Sequence, residues 1–440
     1  AIAQARRRSL QPNAAAVLFW GGRSFLFDGA LQAQPSLARS FPLMRHALLF
    51  LFSYALITPL ATAEEEGFKP MFNGRDLSGW VNANCAPETW SIKDGVISCT
   101  GIPTGALRTE RQYENFILEC EWRHLTSAGN SGVFVWGSPI SAPGVPFLRG
   151  IEVQVLDHGY MKNAKPGKPR WFTTHGDVFP IHGATMEPHG DHNGQRSFPS
   201  EERSKPSPEW NHYRVEGRNG TLTLAVNGKV VSGGDKCFWR KGYLALESEG
   251  APVEFRNVRI KELPSTGATA ADTAPLDQGW KHWYNGVDLR GWKVPAGAEA
   301  KWQAANWNLR LESADGREST PLWSEAEVGN GEIIADFMLP KDADLSKPCT
   351  AFHVRGGDKA AVVIGGGGAP IVFGADKVKA GKWYRLRLTL DGAKATATLT
   401  EPQDANPQVL EGTLEGPAKG AVGVADLGKP VTFANFFARE

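Results

Sequence analysis

The sequence lacks net charge, since 48 Lys and Arg residues against 47 Asp and Glu residues leave +1 at pH 7. Nucleic-acid-binding proteins carry a basic excess, so this balance predicts no nucleic-acid partner. The five cysteines include no C-x-x-C motif, which argues against a zinc cage or a redox pair. Helical periodicity is also missing, and only one long apolar run occurs, near the N-terminus. These absences exclude a helical bundle and a protein with several membrane spans.

The cysteine count leaves disulfide formation open. With an odd number, at least one cysteine is free or paired between chains. Cys85 and Cys99 flank one short strand region and could pair with each other. Cys120 lies in a strand pattern and is predicted to be a buried free thiol, whereas Cys237 and Cys349 stand alone in separate regions.

The apolar run near the N-terminus has the form of a secretory signal peptide. Residues 1–43 show no element pattern, and Met44 then begins a basic start that precedes the run at 47–60 and the small residues at 61–63. A membrane span needs about 20 apolar residues, so the run is too short for one. We expect translation to start at Met44, the mature protein to begin at Glu64 without a membrane anchor, and the protein to be secreted or periplasmic.

Glycine (49 residues), proline (29) and tryptophan (15) are abundant. Short segments of alternating apolar and polar residues lie between Gly- and Pro-containing turns, for example 116–123 and 253–260. This pattern is typical of antiparallel β-sandwiches. The dipeptide Asn227-Gly228 between two such segments predicts a hairpin turn. The predicted fold class is therefore all-β, with two-sheet sandwiches.

The sequence repeats itself with a period of about 200 residues, far above that of solenoid repeats. The motif at 72–80 (FNGRDLSGW) returns at 284–292 (YNGVDLRGW), and the segment at 242–258 has a counterpart at 420–436. Domain duplication is the predicted cause.

The predicted boundaries follow from the composition of the segment between the copies. A small-residue stretch at 264–279 has no apolar period and is predicted to be a linker. The first domain then covers 64–263 and the second covers 280–440. Residues 1–43 would be an extension that is not translated, and 44–63 the signal peptide.

A strand at 150–156 carries the polar residues that stand out most. Ile151, Val153 and Val155 would face one side, whereas Glu152 and Gln154 would face the other, with Asp157 just past the end. A carboxylate and an amide in mid-strand are costly to bury without partners. They line either a groove or the wet face of a sheet. The second copy has apolar residues here, so the first domain is predicted to carry the chemistry and the second to be a degenerate accessory or binding domain.

Further candidates lie on other strands and loops of the first domain. Glu121 and Arg123 share one face of their strand, and Glu247 lies on another strand. Asn130 and Ser131 occupy a turn that enters a strand, where their side chains could bind sugar hydroxyl groups or only their own backbone. The candidates for stacking against a sugar ring are Trp136, Trp171 and Trp210.

Histidines are concentrated in one long segment, and the set is His158, His175, His182, His189 and His192. They could supply a base near neutral pH or ligands for a divalent metal, or they could simply belong to a polar loop over a groove. The spacing matches no metal signature. No cofactor is certain, and calcium on Asp and Asn oxygens remains one open possibility.

The motifs together resemble the 3-keto-disaccharide hydrolase family. They are the opening motif at 72–80, Asn130-Ser131-Gly132-Val133, Glu152-Val153-Gln154-Val155-Leu156-Asp157, Glu209-Trp210-Asn211 and Phe255-Arg256-Asn257-Val258. The resemblance covers 68–263 well, whereas 280–440 match only the frame motifs. Family members often carry a Thr-Gly-Ala-(Ile/Leu)-Tyr-like segment after the Glu-x-Gln strand, and here Thr174–Pro180 stands in its place.

The resemblance implies a concanavalin A-like jelly-roll sandwich that takes part in glycan breakdown, with carbohydrate as its partner. Members with an assigned activity cleave glycosides already oxidised to the 3-keto sugar. In that chemistry Glu152 is the first candidate for the functional carboxylate, Gln154 would orient a hydroxyl group, and Asp157 and His175 are further catalytic candidates. The alternatives are a non-catalytic carbohydrate-binding module and a conventional glucanase-like hydrolase.

Overall fold

A computed structural model describes residues 67–164, 170–313, 318–404 and 406–440. The predicted signal peptide and its cleavage site lie outside the described residues. Within them, the regular structure is β-strand apart from two short 3-10 helices, η1 (Pro87–Thr89) and η2 (His158–Asn163). No helix in these ranges is long and apolar enough to span a membrane. The all-β prediction is therefore confirmed.

The first half of the described chain contains 17 strands. They are β1 (Lys69–Pro70), β2 (Trp80–Asn82), β3 (Trp90–Lys93), β4 (Val96–Cys99), β5 (Gly105–Thr109), β6 (Phe116–His124), β7 (Asn130–Gly137), β8 (Gly150–Leu156), β9 (Val178–Ile181), β10 (Thr185–Pro188), β11 (His192–Asn193), β12 (Arg196–Ser197), β13 (Asn211–Arg218), β14 (Thr221–Val226), β15 (Lys229–Phe238), β16 (Tyr243–Ser248) and β17 (Val253–Glu262).

The second half of the described chain contains 14 strands. They are β18 (Lys281–His282), β19 (Trp292–Lys293), β20 (Trp302–Ala305), β21 (Asn308–Leu311), β22 (Glu318–Val328), β23 (Gly331–Met338), β24 (Pro348–His353), β25 (Val362–Gly365), β26 (Ile371–Phe373), β27 (Trp383–Asp391), β28 (Lys394–Thr400), β29 (Gln408–Thr413), β30 (Gly420–Leu427) and β31 (Val431–Arg439).

Each half forms two sheets that enclose one hydrophobic core. In the first half, one sheet has the order β10-β15-β14-β13-β6-β17-β4-β3, and the other has the order β11-β12-β9-β8-β7-β16-β5-β2. Side chains from both sheets meet in a single cluster of buried residues. We call the sheet that contains β6 the outer sheet of the first sandwich, and the sheet that contains β8 its site sheet. Two sheets packed face to face over a shared core are the predicted sandwich.

The second sandwich repeats the strand order of the first. Its first sheet runs β29-β28-β27-β23-β31-β21-β20 and corresponds strand for strand to β15-β14-β13-β6-β17-β4-β3 of the outer sheet. Its second sheet runs β26-β25-β24-β30-β22-β19 and corresponds to β9-β8-β7-β16-β5-β2 of the site sheet. One difference is that β25 and β26 pair in parallel, whereas β8 and β9 are antiparallel. The duplication itself stays a prediction.

The motif shared by the two halves forms the same turn twice. Asn73 donates through Nδ2 to Asp76 Oδ1 at 2.7 Å, and the backbone N–H groups of residues 75 and 76 donate to Asn73 Oδ1. Asn285 and Asp288 make the same set of bonds at the same 2.7 Å. Asn and Asp favour such turns because their side chains hydrogen-bond nearby backbone groups. The Asn and Asp residues of this motif are thus explained by the turn that they form, and no catalytic or binding role is needed to account for them.

The predicted hairpin is also present. Val226 pairs with Lys229 across Asn227-Gly228, and both turn residues have positive φ, +47° and +90°. A two-residue turn with both φ values positive matches the twist of the strands, and Asn-Gly is the dipeptide that adopts it most readily.

Buried polar contacts join the two sandwiches, which belong to one compact unit. Asn435 Nδ2 donates to the carbonyl oxygen of Val145 at 2.8 Å and to Asp336 Oδ2 at 2.7 Å. The same Asp336 oxygen accepts from the backbone N–H of Gly144 at 2.7 Å. The segment at 264–279 is held against the first sandwich, for example by an ion pair between Arg108 and Asp277.

All five cysteines are free thiols, and all are buried. Cys85 and Cys99 therefore do not pair in this structure. Burial raises the pKa of the Cys120 thiol to about 12, which keeps it protonated, as expected for an inert core thiol.

Candidate functional site

The face of the site sheet that points away from the core carries a cluster of carboxyl groups. Ile151, Val153 and Val155 of β8 are buried in the core, so Glu152 and Gln154 face the opposite side, as the alternation predicted. Glu152 is 7% exposed and Gln154 is 5% exposed. The wet-face interpretation of this strand is therefore wrong, because both side chains are buried on the sheet.

Gly132 of β7 separates Glu152 from Glu247 of β16. A Cβ atom added to Gly132 would lie 2.9 Å from Glu247 Oε2 and 3.0 Å from Glu152 Oε1. The two carboxyl groups thus meet over the glycine, and any larger residue would push them apart. Only glycine leaves this space open, which gives the Asn130-Ser131-Gly132 motif a structural reason.

Glu249, which follows β16, completes a group of three carboxyl groups. Its Oε2 accepts from Asn130 Nδ2 at 2.5 Å, and Asn130 Oδ1 accepts from Gln154 Nε2 at 2.8 Å. Gln154 Oε1 in turn accepts from the Arg196 guanidinium at 2.6 Å. The amides of Asn130 and Gln154 are therefore oriented by a continuous chain of hydrogen bonds that ends on Arg196.

Arg196 is anchored by Asp177, which is fully buried. The guanidinium Nε donates to Asp177 Oδ2 at 2.6 Å, and Asp177 also accepts from the backbone N–H of Thr173 at 2.8 Å. The guanidinium lies 3.7 Å from the centre of the Phe179 ring. Ion pair and ring contact together fix one positive charge at the edge of the carboxyl cluster.

The electrostatics of the cluster favour protonated carboxyl groups. Burial, with the Glu249 charge as the next cause, raises the pKa of Glu152 to about 8. Burial raises the pKa of Glu249 to about 7, and burial and the Glu152 charge raise the pKa of Glu247 well above its usual value. Among the residues that the structure describes, Glu247 Oε2 finds no hydrogen-bond partner. Carboxyl groups with such pKa values can give or take protons near neutral pH.

Aromatic side chains lie beside this cluster. Trp171 is 52% exposed, and its ring centre lies 4.5 Å from that of Phe172. Tyr160 of η2 packs edge-on against Phe172 at 5.7 Å. The Arg196 guanidinium lies 5.5 Å from the centre of the Trp171 ring, so this tryptophan adjoins the Arg196 end of the site. Burial, followed by the Glu249 charge, raises the pKa of Tyr160. An exposed tryptophan beside buried polar groups is a suitable surface for a sugar ring.

The structure does not bring Asp157 into the cluster. Its carboxylate caps η2 and accepts backbone N–H groups from Ala128, Gly159 and Ser207 at 2.6 to 2.8 Å. Although burial opposes it, these bonds lower the pKa of Asp157. The side chain turns toward the loops because η2 begins directly after β8. The geometry fits a structural role, contrary to the catalytic one considered from the sequence.

Glu121 and Arg123 lie on β6 of the outer sheet, apart from the carboxyl cluster. Glu121 pairs with Arg256 and Arg123 pairs with Glu254, both within the outer sheet. Trp210 fills the space between these two arginines. Alternation in the sequence predicts that Glu121 and Arg123 share a face of their strand. It does not predict that this strand belongs to the outer sheet and not to the site sheet.

Trp136 and Ser131 are buried on the core side of the site sheet or within it. Trp136 is fully buried, donates through Nε1 to the carbonyl oxygen of Glu114 at 2.9 Å and packs against Phe116. It therefore cannot stack on a sugar. Ser131 is fully buried and donates to the carbonyl oxygen of Glu247 at 2.8 Å, so its hydroxyl group braces β16 instead of facing a ligand.

His175 lies next to His158 and Glu202, and it is not part of the carboxyl cluster. Burial lowers the pKa of His175, and the neighbouring His158 adds to the effect. His182 stacks on Phe147, and His189 pairs with Asp235, so the histidines do not form a single group.

The second sandwich has no counterpart of the carboxyl cluster on its equivalent strands. The same face of its second sheet carries Ala351, Val363 and Ala425, which form a small apolar group. Because β24, β25 and β30 occupy the positions of β7, β8 and β16, the fold itself does not require acids there.

Two members of the site were missed by the sequence analysis. Glu249 lies two residues after Glu247 on the same face, so period-two spacing alone could have identified it. Arg196 has no such signal, because it sits on the two-residue strand β12, 42 positions from Gln154.

Residues 67–261 match the family model described as the 3-keto-alpha-glucoside-1,2-lyase-like domain. A 3-keto-disaccharide hydrolase from Bacteroides thetaiotaomicron is 24% identical over 252 residues, which cover 46% of this chain and 80% of that protein.

Two solved structures are similar in part. A candidate glycosyl hydrolase from Parabacteroides distasonis is 26% identical, with a TM-score of 0.36, over 45% of this chain and 95% of that one. A carbohydrate-binding module from Bacillus subtilis is 14% identical, with a TM-score of 0.31, over 44% and 100% of the two chains. The resemblance that the motifs predict is confirmed for residues 67–261, which match the model of the 3-keto-alpha-glucoside-1,2-lyase-like domain.

Proposed function

We propose that the first sandwich cleaves glycosides already oxidised to the 3-keto sugar, by elimination followed by hydration. The observation that carries the proposal is a group of three carboxyl groups, the buried Glu152 and Glu247 and the half-buried Glu249, with pKa values raised toward or above neutrality. The family match and the name of the Bacteroides relative support the substrate class.

The chemistry needs a base, an acid and a binding site for an enolate. A 3-keto group acidifies the C2 proton because the electron pair left on C2 is delocalised into the carbonyl group. When a base takes this proton, the C1–O bond breaks, its electron pair goes to the leaving oxygen, and an acid protonates that oxygen. Water then adds across the C1–C2 double bond, with hydroxide joining C1 and a proton joining C2. The net result is hydrolysis.

The residues fit these roles. Glu152, once ionised, is a strong base because its buried carboxylate is poorly solvated. Glu249 titrates near neutral pH and is less buried, so it suits the acid that protonates the leaving oxygen. Asn130 and Gln154 would hold sugar hydroxyl groups, and the Arg196 charge would favour the enolate.

The test compares a purified 3-keto-glucoside with its unoxidised parent as substrate. We expect turnover of the 3-keto sugar alone, and Glu152→Gln to lower kcat by about 10²–10⁴-fold, the usual contribution of a general base. Glu121→Gln is the matched control, since Glu121 lies on the outer sheet, and it should keep full activity.

Other outcomes separate the alternatives. Cleavage of the unoxidised parent would instead support a conventional glycoside hydrolase. Saturable sugar binding without any turnover would support a carbohydrate-binding module. Full activity in Glu152→Gln would contradict the role given to that residue.

The proposal also includes export, because glycan breakdown of this kind suits a secreted or periplasmic protein. The support is the signal-peptide pattern at 44–63 alone. N-terminal sequencing of protein recovered outside the cytoplasm should give Glu64 as the first residue, and a sequence that reads into 1–43 would contradict this.

A further inference from the structure

A second polar group, apart from the carboxyl cluster, consists of His158, His175 and Glu202. His158 begins η2 directly after β8, His175 precedes β9, and Glu202 lies between β12 and β13. His158 Nδ1 is 3.8 Å from Glu202 Oε1, and His175 Nε2 is 3.6 Å from Glu202 Oε2. One ligand atom from each of the three residues lies within 4.8 Å of the others. We call this group the His-His-Glu triad.

Ser204 decides which nitrogen of each histidine carries the proton. Its hydroxyl group donates to the carbonyl oxygen of Thr174 at 2.9 Å, so its oxygen is left as an acceptor. His158 Nε2 lies 2.9 Å from this oxygen, and His175 Nδ1 lies 3.3 Å from it. Both neutral rings therefore place their N–H group on Ser204.

This arrangement turns the lone pairs of the two rings toward a carboxylate. With N–H groups on Ser204, the free nitrogens of the triad are His158 Nδ1 and His175 Nε2, the two atoms nearest the Glu202 oxygens. Two nitrogen lone pairs and an anionic oxygen repel one another unless a cation lies between them. In metal-binding histidines, the ring nitrogen that does not bind the metal likewise donates a hydrogen bond that fixes the orientation of the imidazole.

We propose that His158, His175 and Glu202 bind one divalent transition-metal ion, with Ser204 as the positioning residue. Two imidazole nitrogens and one carboxylate suit Zn²⁺, Mn²⁺ or Fe²⁺, whereas Ca²⁺ prefers a shell of oxygen atoms only. The Glu202 side chain is 61% exposed, so the remaining coordination positions face solvent. The elimination proposed above assigns no step to these residues.

The experiment is a calorimetric titration of the full chain with Zn²⁺, Mn²⁺ and Ca²⁺ after dialysis against a chelator, with metal content measured by mass spectrometry. We expect one Zn²⁺ or Mn²⁺ per chain and no saturable binding of Ca²⁺ at the same concentration. His175→Ala and Glu202→Gln should each weaken binding at least about tenfold, and Ser204→Ala should weaken it about 10–100-fold with all three ligands retained.

The control is His189→Ala, which removes a surface histidine paired with Asp235 and should bind metal like the wild type. Glu202 is exposed, so Glu202→Gln tests the site without disturbing the core, and circular dichroism checks that each variant is folded. Absence of saturable binding in the wild type would overturn the proposal. Equal affinity in Glu202→Gln and the wild type would overturn it as well.

Discussion

At the scale of single residues, Glu152 combines a strand position with an unusual charge state. Its neighbours Val153 and Ile151 fill the core, and its own side chain is buried among two further carboxyl groups. Such a group destabilises the folded protein when it ionises, and this makes its titration measurable without any substrate.

The stability of the protein should fall as the pH rises through the titration of Glu152. The pKa of Glu152 is about 8 in the folded chain and 4.5 otherwise, so between these values the folded state holds more protons than the unfolded state. Glutamine cannot ionise, so the stability of Glu152→Gln relative to the wild type should increase by about 3–4 kcal/mol between pH 5 and pH 8. Urea unfolding at several pH values measures this difference.

Asp157→Asn is the control, because the contribution of Asp157 to stability depends on pH in the opposite direction. The pKa of Asp157 is lowered in the folded state, so its contribution is complete at neutral pH and is lost as the pH falls below about 4. The variant should therefore be less stable than the wild type at pH 7, and the difference should shrink in acid. A Glu152→Gln effect that is constant across pH would show that Glu152 ionises normally.

At the scale of elements, β7 is the strand that sets the spacing of the site. It lies between β8 and β16, and Gly132 is its point of closest approach to Glu152 and Glu247. Gly132 has no side chain at this point, whereas Ser131 and Val133 on either side of it are fully buried.

Gly132→Ala should reduce activity on a 3-keto-glycoside by about 10²-fold, since displacement of a catalytic group by about 1 Å has an effect of that size. The added methyl group would lie within 3.0 Å of both carboxyl groups and force them apart. Steady-state kinetics measure the effect, with Gly368→Ala as the control because a Cβ there has open space around it. An active Gly132→Ala variant would show that the spacing of the two carboxyl groups does not matter.

At the scale of the whole molecule, the two sandwiches are held together by buried polar groups. Asp336 is fully buried and accepts from Arg385 of its own sandwich, from Asn435 and from Gly144 of the first sandwich. The segment around Gly144 belongs to the loop between β7 and β8, so the interface reaches the strands of the site.

Asn435→Asp should destabilise the protein by about 2–4 kcal/mol, because it removes a donor shared by buried acceptors and adds a negative charge beside Asp336. Asp tolerates the φ of +51° at this position, so the backbone is not the cause. Calorimetry should show one transition for the wild type and a lower midpoint for the variant. The exposed Asn406→Asp is the control, and independent melting of the two halves would contradict the prediction.

The alternation of residues was enough to predict strands such as β6, β8 and β17, the two faces of β8 and the Asn227-Gly228 turn, because these depend on neighbours in the chain. It also identified Glu152 and Gln154 as the polar side of β8. The partners of these residues were decided by strand order alone, since β16 and β12 bring Glu247, Glu249 and Arg196 beside them from far along the chain. Asp157 shows the reverse case, because backbone N–H groups from two loops and from η2 bind its carboxylate and make an apparent site residue a helix cap. Local sequence determines the period of a strand, whereas only the packed sheets determine which charges meet.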